Sequence, residues 1–209
     1  MNKNDEMPTK ERILNASIDL FAEKGFRDIS VREIAKAVGI KASSLYKHYE
    51  SKEDILESIF TLFKEKMTQT AFGDEELKRY IGGASPEKYL NEAFSLFVRI
   101  MWSPLTLKIA KIITLEQQRS RSVRQFFMQE LIEKPRQLLR YAFDLMAEGG
   151  LIHSADTGVL AEEYSSYIIY LYFEQNFLQE DPDLEEIERK MKQHNAFYAR
   201  HILKGKEEN

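Results

Sequence analysis

The sequence predicts an all-α protein: an N-terminal three-helix head with a helix-turn-helix, on a larger helical body, about nine helices in all. Three observations carry this expectation. Gly (9) and Pro (5) are sparse in 209 residues. Apolar residues recur at helical spacing nearly throughout, and β-branched alternation is almost absent. At 43% hydrophobic and 31% charged, the chain is too apolar and too mixed in charge to be disordered. It has no Cys, which excludes disulfides, thiolate nucleophiles and Cys-ligated zinc and fits a reducing compartment. No apolar run reaches the ~20 residues of a bilayer span, and the polar start has no signal-peptide core. A cytoplasmic protein without a membrane partner is expected.

The first helix starts near Thr9, carries Ile13, Leu14, Ile18, Leu20 and Phe21, and stops at Lys24-Gly25-Phe26, with Phe26 folding back. Ser30-Val-Arg-Glu33 is a capping box that opens a second helix with Val31, Ile34, Ala35 and Val38 on one face. Gly39 ends it. A third runs from Ala42 to Tyr49, and Ser51-Lys-Glu-Asp54 caps a fourth that extends to about Ala71. Gly82-Gly83 marks a loop or short helix. Ser85-Pro86 and Ser103-Pro104 open helices five and six, each with Pro at the first helical position. The seventh spans about Ser122–Glu148 with Pro135 kinking it. The eighth runs from Asp156 to Gln179 and the ninth from Asp183 to Leu203.

The segment Val31 to Tyr49 is the most specific feature. Two short helices meet near a right angle only if the contact is small and the connection takes a positive φ; Ala35 and Gly39 meet those needs. The second of the pair is the one that enters a major groove. Its outer side offers Ala42, Ser43, Ser44, Lys47 and His48 to base edges, and Tyr46 and Tyr49 flank it with hydroxyls that can reach phosphates. Lys52 sits in the first turn of helix four, where amide donors favour an anion, and Lys41 and Arg32 add cations. The charge split agrees: the first 52 residues carry +2, the remainder −6. The domain boundary is expected at 52–53, with residues 1–52 as the DNA-binding head and 53–209 as the body.

Phe21-Ala-Glu-Lys-Gly-Phe26, Ser30-Val-Arg-Glu-Ile-Ala35, Gly39-Ile-Lys-Ala-Ser-Ser-Leu-Tyr-Lys-His-Tyr49 and Ser51-Lys52-Glu53 resemble the TetR family of transcriptional regulators over about residues 9–60. The resemblance implies a homodimer of nine-helix protomers with a ligand cavity in the C-terminal part, and so assigns ligand binding and dimerisation to residues 53–209. It also implies DNA contacts at Ser30, Arg32, Ser43, Ser44, Tyr46, Lys47, His48 and Lys52. Tyr49 stands where the family more often has Phe, which leaves a core role open for it.

Twenty of the 24 aromatic residues lie beyond residue 52. Helix eight is apolar on nearly all sides, and a helix buried all round needs a partner chain on the side its own core leaves open. Helix nine carries a seam of Leu184, Ile187, Met191, His194, Tyr198 and His201. A homodimer through helices eight and nine is therefore expected. Phe94, Phe97, Met101, Trp102, Tyr141, Tyr164 and Tyr167 are candidates to line an apolar effector cavity with polar tips. The four His have no metal-ligand spacing, and no Gly-rich phosphate loop or nucleophile elbow occurs, so no metal, cofactor or enzymatic activity is expected. Together with the resemblance, which alone implies repression, the sequence reads as a ligand-released repressor that binds a near-palindromic double-stranded operator as a homodimer and takes an unidentified small-molecule effector. The rival reading is a helical ligand-binding protein whose head docks a protein.

Overall fold

The computed structural model describes residues 7–69, 74–83, 86–153, 156–178 and 182–202. Eleven α-helices follow in chain order: α1 (Thr9–Lys24), α2 (Val31–Val38), α3 (Ala42–Leu45), α4 (Lys52–Thr68), α5 (Asp74–Gly83), α6 (Pro86–Met101), α7 (Pro104–Glu116), α8 (Arg121–Phe127), α9 (Lys134–Glu148), α10 (Thr157–Phe177) and α11 (Leu184–His201), with a π-helical segment over Met128–Glu133. Expected helices five and six are α6 and α7, and the eighth and ninth are α10 and α11. The expected seventh is the α8–π–α9 run. Expected ends at Ala71, Gln179 and Leu203, and the cap Ser85, lie outside the described residues.

The helices group into two compact units, one of Met1–Thr68 with Ser103–Phe127, the other of Gln69–Trp102 with Met128–Asn209. In the first, α1 packs on α2, α4 and α7, and α4 packs on α7. Ile13, Phe21, Ile34, Leu45, Ile55, Ile59, Phe63, Ile109 and Ile113 are fully buried there. Full burial of a Leu, Ile or Phe side chain contributes about 1.5–3 kcal/mol, so these residues hold the unit together. Gly25 ends α1 at φ 88°, ψ 151°, a region open almost only to glycine. Phe26 folds back edge-on to Phe21 at 5.1 Å.

In the second unit α9 packs on α10, α11 on α6, and α5 on α6 and α9. Asp156 caps α10 through Gly158 and Val159, and Asp183 caps α11 through Glu186. Around buried Tyr164 a polar chain crosses three helices. Tyr164 Oη donates to Asn195 Oδ1 at 2.8 Å, and Asn195 Nδ2 donates to Asn91 Oδ1 at 2.8 Å.

Three expectations change. The third helix is α-helical only over Ala42–Leu45. Beyond it the bonds shorten to i→i+3 turns, Lys47 N to Ser44 O and His48 N to Leu45 O, the tighter winding common at helix ends. The helix expected to kink at Pro135 meets it with the π segment instead; proline cannot donate to the preceding turn, and a wider register accommodates that loss. The α11 seam faces its own unit: Ile187, Met191 and Tyr198 are 0%, 1% and 3% exposed. Asn195, not His194, completes that buried stripe, because a straight helix carries the stripe from 191 to 195 and 198.

Ser30→Ala removes the side-chain half of the capping box and leaves the Glu33 backbone N–H without its partner, and should lower stability by about 1 kcal/mol in chemical denaturation. His194 stacks on Tyr167 at 4.3 Å, lies between Tyr164 and Tyr198, and is pushed down to about 4 by burial. The unfolded chain then takes up this proton first as pH falls below ~6.5. Stability should decline from pH 6.5 toward 4, by about 1–2 kcal/mol above pH 5 for this half-buried ring. Urea unfolding between pH 7.5 and 5 should show a shallower decline in His194→Gln than in the wild type.

Candidate nucleic-acid interface

α2 begins at Ser30, which accepts the Glu33 backbone N–H while its own N–H donates to the Glu33 carboxylate at 2.7 Å. Those hydrogen bonds to Ser30 hold the Glu33 carboxyl below its ordinary range. α2 ends at Gly39, in the left-handed conformation at φ 75°, ψ 31°. Gly39 N bonds Lys36 O at 3.1 Å and Ile40 N bonds Ala35 O at 3.0 Å, the paired bonds of a Schellman motif. The reversal satisfies the last carbonyls of α2 and starts α3 two residues later. Ile34, Ala35 and Val38 from α2 and Leu45 from α3 are buried behind it. Arg12 Nη2 donates to Val38 O at 2.7 Å, which ties α1 to the same corner.

With Leu45 facing inward, Lys41, Ser43, Lys47 and His48 are exposed, and Ala42 and Ser44 are half-buried beside them. Tyr46 is 53% exposed. Arg32 is exposed in the first turn of α2. These candidates are thus exposed or half-buried, with Leu45 alone of its segment's first turn fully buried.

Ser30 and Lys52 have internal partners. Ser30 Oγ donates its proton to Glu33 Oε2 at 2.8 Å, and a hydroxyl has only that one proton to give. Lys52 Nζ donates to Phe26 O and Ile29 O, both at 2.8 Å, and to Arg27 O at 3.4 Å. An ammonium has three donors, so the phosphate contact expected of Lys52 competes with three carbonyls. Tyr49 takes the core position: it is 3% exposed, and its hydroxyl donates to Lys10 O at 3.3 Å. Burial pushes its phenol up.

The effector candidates lie in the second unit in two ring groups. Phe94, Phe97 and Trp102 form one row with centroids 6.2 and 6.1 Å apart, continued by Tyr172 at 6.2 Å from Trp102. Met101 is buried on the same helix. Tyr164 and Tyr167 belong to the other, around His194, Tyr198 and Phe143. Tyr141 is 37% exposed on α9. Among the described residues, Trp102 Nε1, Arg136 Nε and His194 Nε2 are the buried side-chain polar atoms without a hydrogen-bond partner, all in this unit. By sequence Tyr172 and His194 read as interface residues and not as effector candidates, and Asn195 and Asn91 escape the sequence reading. Asn91, half-buried, and Asn195, buried, are two amides on helices that pack together, visible only once the pairing of α6 with α11 is known.

Among the described residues no group of three or more His, Asp or Glu could hold a metal ion, and no helix is long and apolar enough to cross a membrane.

Residues 13–59 match the family described as bacterial regulatory proteins, tetR family. The chain is 36% identical over 64 residues to the HTH-type transcriptional regulator UidR of Escherichia coli (strain K12), covering 31% of this chain and 33% of that one. It is 41% identical over 58 residues to the biofilm operon icaADBC HTH-type negative transcriptional regulator IcaR of Staphylococcus epidermidis, covering 26% and 31%. The match thus spans about a third of these relatives' length and falls on the head. In fold, the chain is similar over 96% of its length, and 98% of the other's, to a TetR-family transcriptional regulator from Mesorhizobium loti, with TM-score 0.71 and 17% identity. Residues 13–59 thus match the tetR family of bacterial regulatory proteins, and the chain as a whole is similar in fold to a regulator of that family.

Proposed function

We propose that the protein is a sequence-specific DNA-binding repressor, not an enzyme, that acts in the cytoplasm as a homodimer and is released by a small molecule. The observation that supports this best is the α2–Gly39–α3 corner, which buries Leu45 and leaves Lys41, Ser43, Tyr46, Lys47 and His48 exposed. Two such heads, carried by a dimer, reach successive major grooves roughly 34–36 Å apart on a near-palindromic operator. Arg32, Lys41, Tyr46 and Lys47 supply charge and hydroxyl contacts, and Ala42, Ser43, Ser44 and His48 approach base edges.

The dimer surface is proposed on α10 and α11. α10 buries Leu160, Ala161, Tyr164, Leu171 and Tyr172 within its unit, yet leaves Val159, Tyr170 and Phe173 at 51%, 50% and 36% exposure. Phe197 on α11 adds 52%. Exposed apolar side chains of this size along one helix support a partner surface. The two ring groups of the second unit, with their unpartnered donors, support an effector site there. An effector shifts DNA binding only by as much as its affinities for the two states differ.

Fluorescence anisotropy on DNA upstream of the protein's own gene, against shuffled DNA at physiological salt, should show a preference of at least ~1,000-fold with two protomers per site. Ser44→Ala should relax the preference at one base pair by about 1–3 kcal/mol. Absence of binding even at low salt would overturn the reading in favour of a head that docks a protein.

A further inference from the structure

Lys52 opens α4, where the helix dipole disfavours a cation, and the structure keeps its ammonium within the chain. Nζ lies 4.4 Å from the centroid of the Phe26 ring and donates to the carbonyls of Phe26, Arg27 and Ile29. Those carbonyls belong to the α1–α2 connection. Ile29 itself is 1% exposed, and its carbonyl immediately precedes Ser30, the residue that caps α2. The connection is held from a second element as well: Arg27 Nη2 donates to Arg119 O at 3.3 Å, and Arg119 lies between α7 and α8.

We propose that Lys52 is a positioning residue for DNA binding: it ties the start of α2 to the first turn of α4 and so sets the pose of Arg32 and the α3 surface, without contacting a phosphate itself. The three-carbonyl cradle suits a compact ammonium. A planar guanidinium directs its donors in a fork and cannot converge on the same three oxygens beneath the Phe26 ring. A phosphate would accept either cation. This difference separates the two roles.

The proposal deepens the DNA-binding reading and rests on it for its affinity arm; its hydrogen-exchange arm needs no DNA. The test uses the full-length protein with Lys52→Met and Lys52→Arg. Affinity for a duplex of about 30 bp from upstream of its own gene is measured across roughly 50 to 300 mM salt. Amide exchange of residues 26–34 is followed without DNA. Lys52→Met should weaken binding about tenfold or more with the salt slope unchanged, and exchange should accelerate over Ile29–Ile34. Lys52→Arg, which keeps the charge and most of the stem, should remain folded and fail to restore affinity. A slope lower by about one unit, with restoration by Arg, would mark a phosphate contact and overturn the proposal. Wild-type affinity in Lys52→Met, or unchanged exchange, would overturn it too. If the wild type shows no preference for the upstream duplex, the DNA-binding reading and the positioning of DNA contacts both fall, and the exchange result then reports only whether Lys52 fixes α2.

Discussion

The left-handed turn at Gly39 is the constraint on which the outward surface depends. A residue with a Cβ resists φ near +75°, and without that angle the chain cannot reverse within two residues of Val38. The reversal fixes where α3 starts, and burial of Leu45 against Ile34 and Val38 fixes how it is rotated. Once both are set, Ser43, Lys47 and His48 have no direction left but outward. The chemistry of that surface is therefore a consequence of one backbone angle and one buried leucine.

The other elements of the first unit act by holding this corner in place. Arg12 reaches the last carbonyl of α2, Tyr49 reaches a carbonyl in α1, and Lys52 gathers the connection between α1 and α2. These are long side chains from α1, the end of the motif and α4, each ending on a backbone carbonyl; those that Arg12 and Lys52 reach lie at the end of α2 and in the α1–α2 connection. Carbonyls at helix ends need donors, and here the supply also locks adjoining elements together. Below them, Ile55, Ile59 and Phe63 of α4 and Ile109 and Ile113 of α7 are fully buried, a support that does not depend on charge.

The second unit is built differently. Its centre mixes rings with a polar chain, Tyr164 to Asn195 to Asn91, and two of its unpartnered polar atoms, Trp102 Nε1 and His194 Nε2, sit among aromatic rings. A buried donor without a partner costs about 1–3 kcal/mol, which apolar packing by Phe143, Met146, Leu171 and Met191 has to offset. Such cost is seldom met by chance in a helical core, and it separates this unit from the first, where the buried hydroxyls of Ser17, Thr106 and Thr114 all have hydrogen-bond partners.

The sequence alone determined the helical class, the capping box at Ser30, the stops at Gly25 and Gly39 and the inward face of α2, because these depend on residues within one or two turns of each other. It also determined that α10 is apolar on two sides, and the structure shows both a buried and an exposed aromatic side. Only the tertiary structure decided what the long side chains do. Lys52 reads as a cation at a helix start, yet its donors meet carbonyls more than twenty residues earlier in the chain. His194 fell on the predicted α11 seam by spacing, whereas the pairing of α11 with α6 placed Asn195 there and His194 against Tyr167. Local pattern fixes periodicity and helix ends; which partner a flexible donor reaches, and which of two neighbouring residues faces the core, depends on helices brought together from distant parts of the chain.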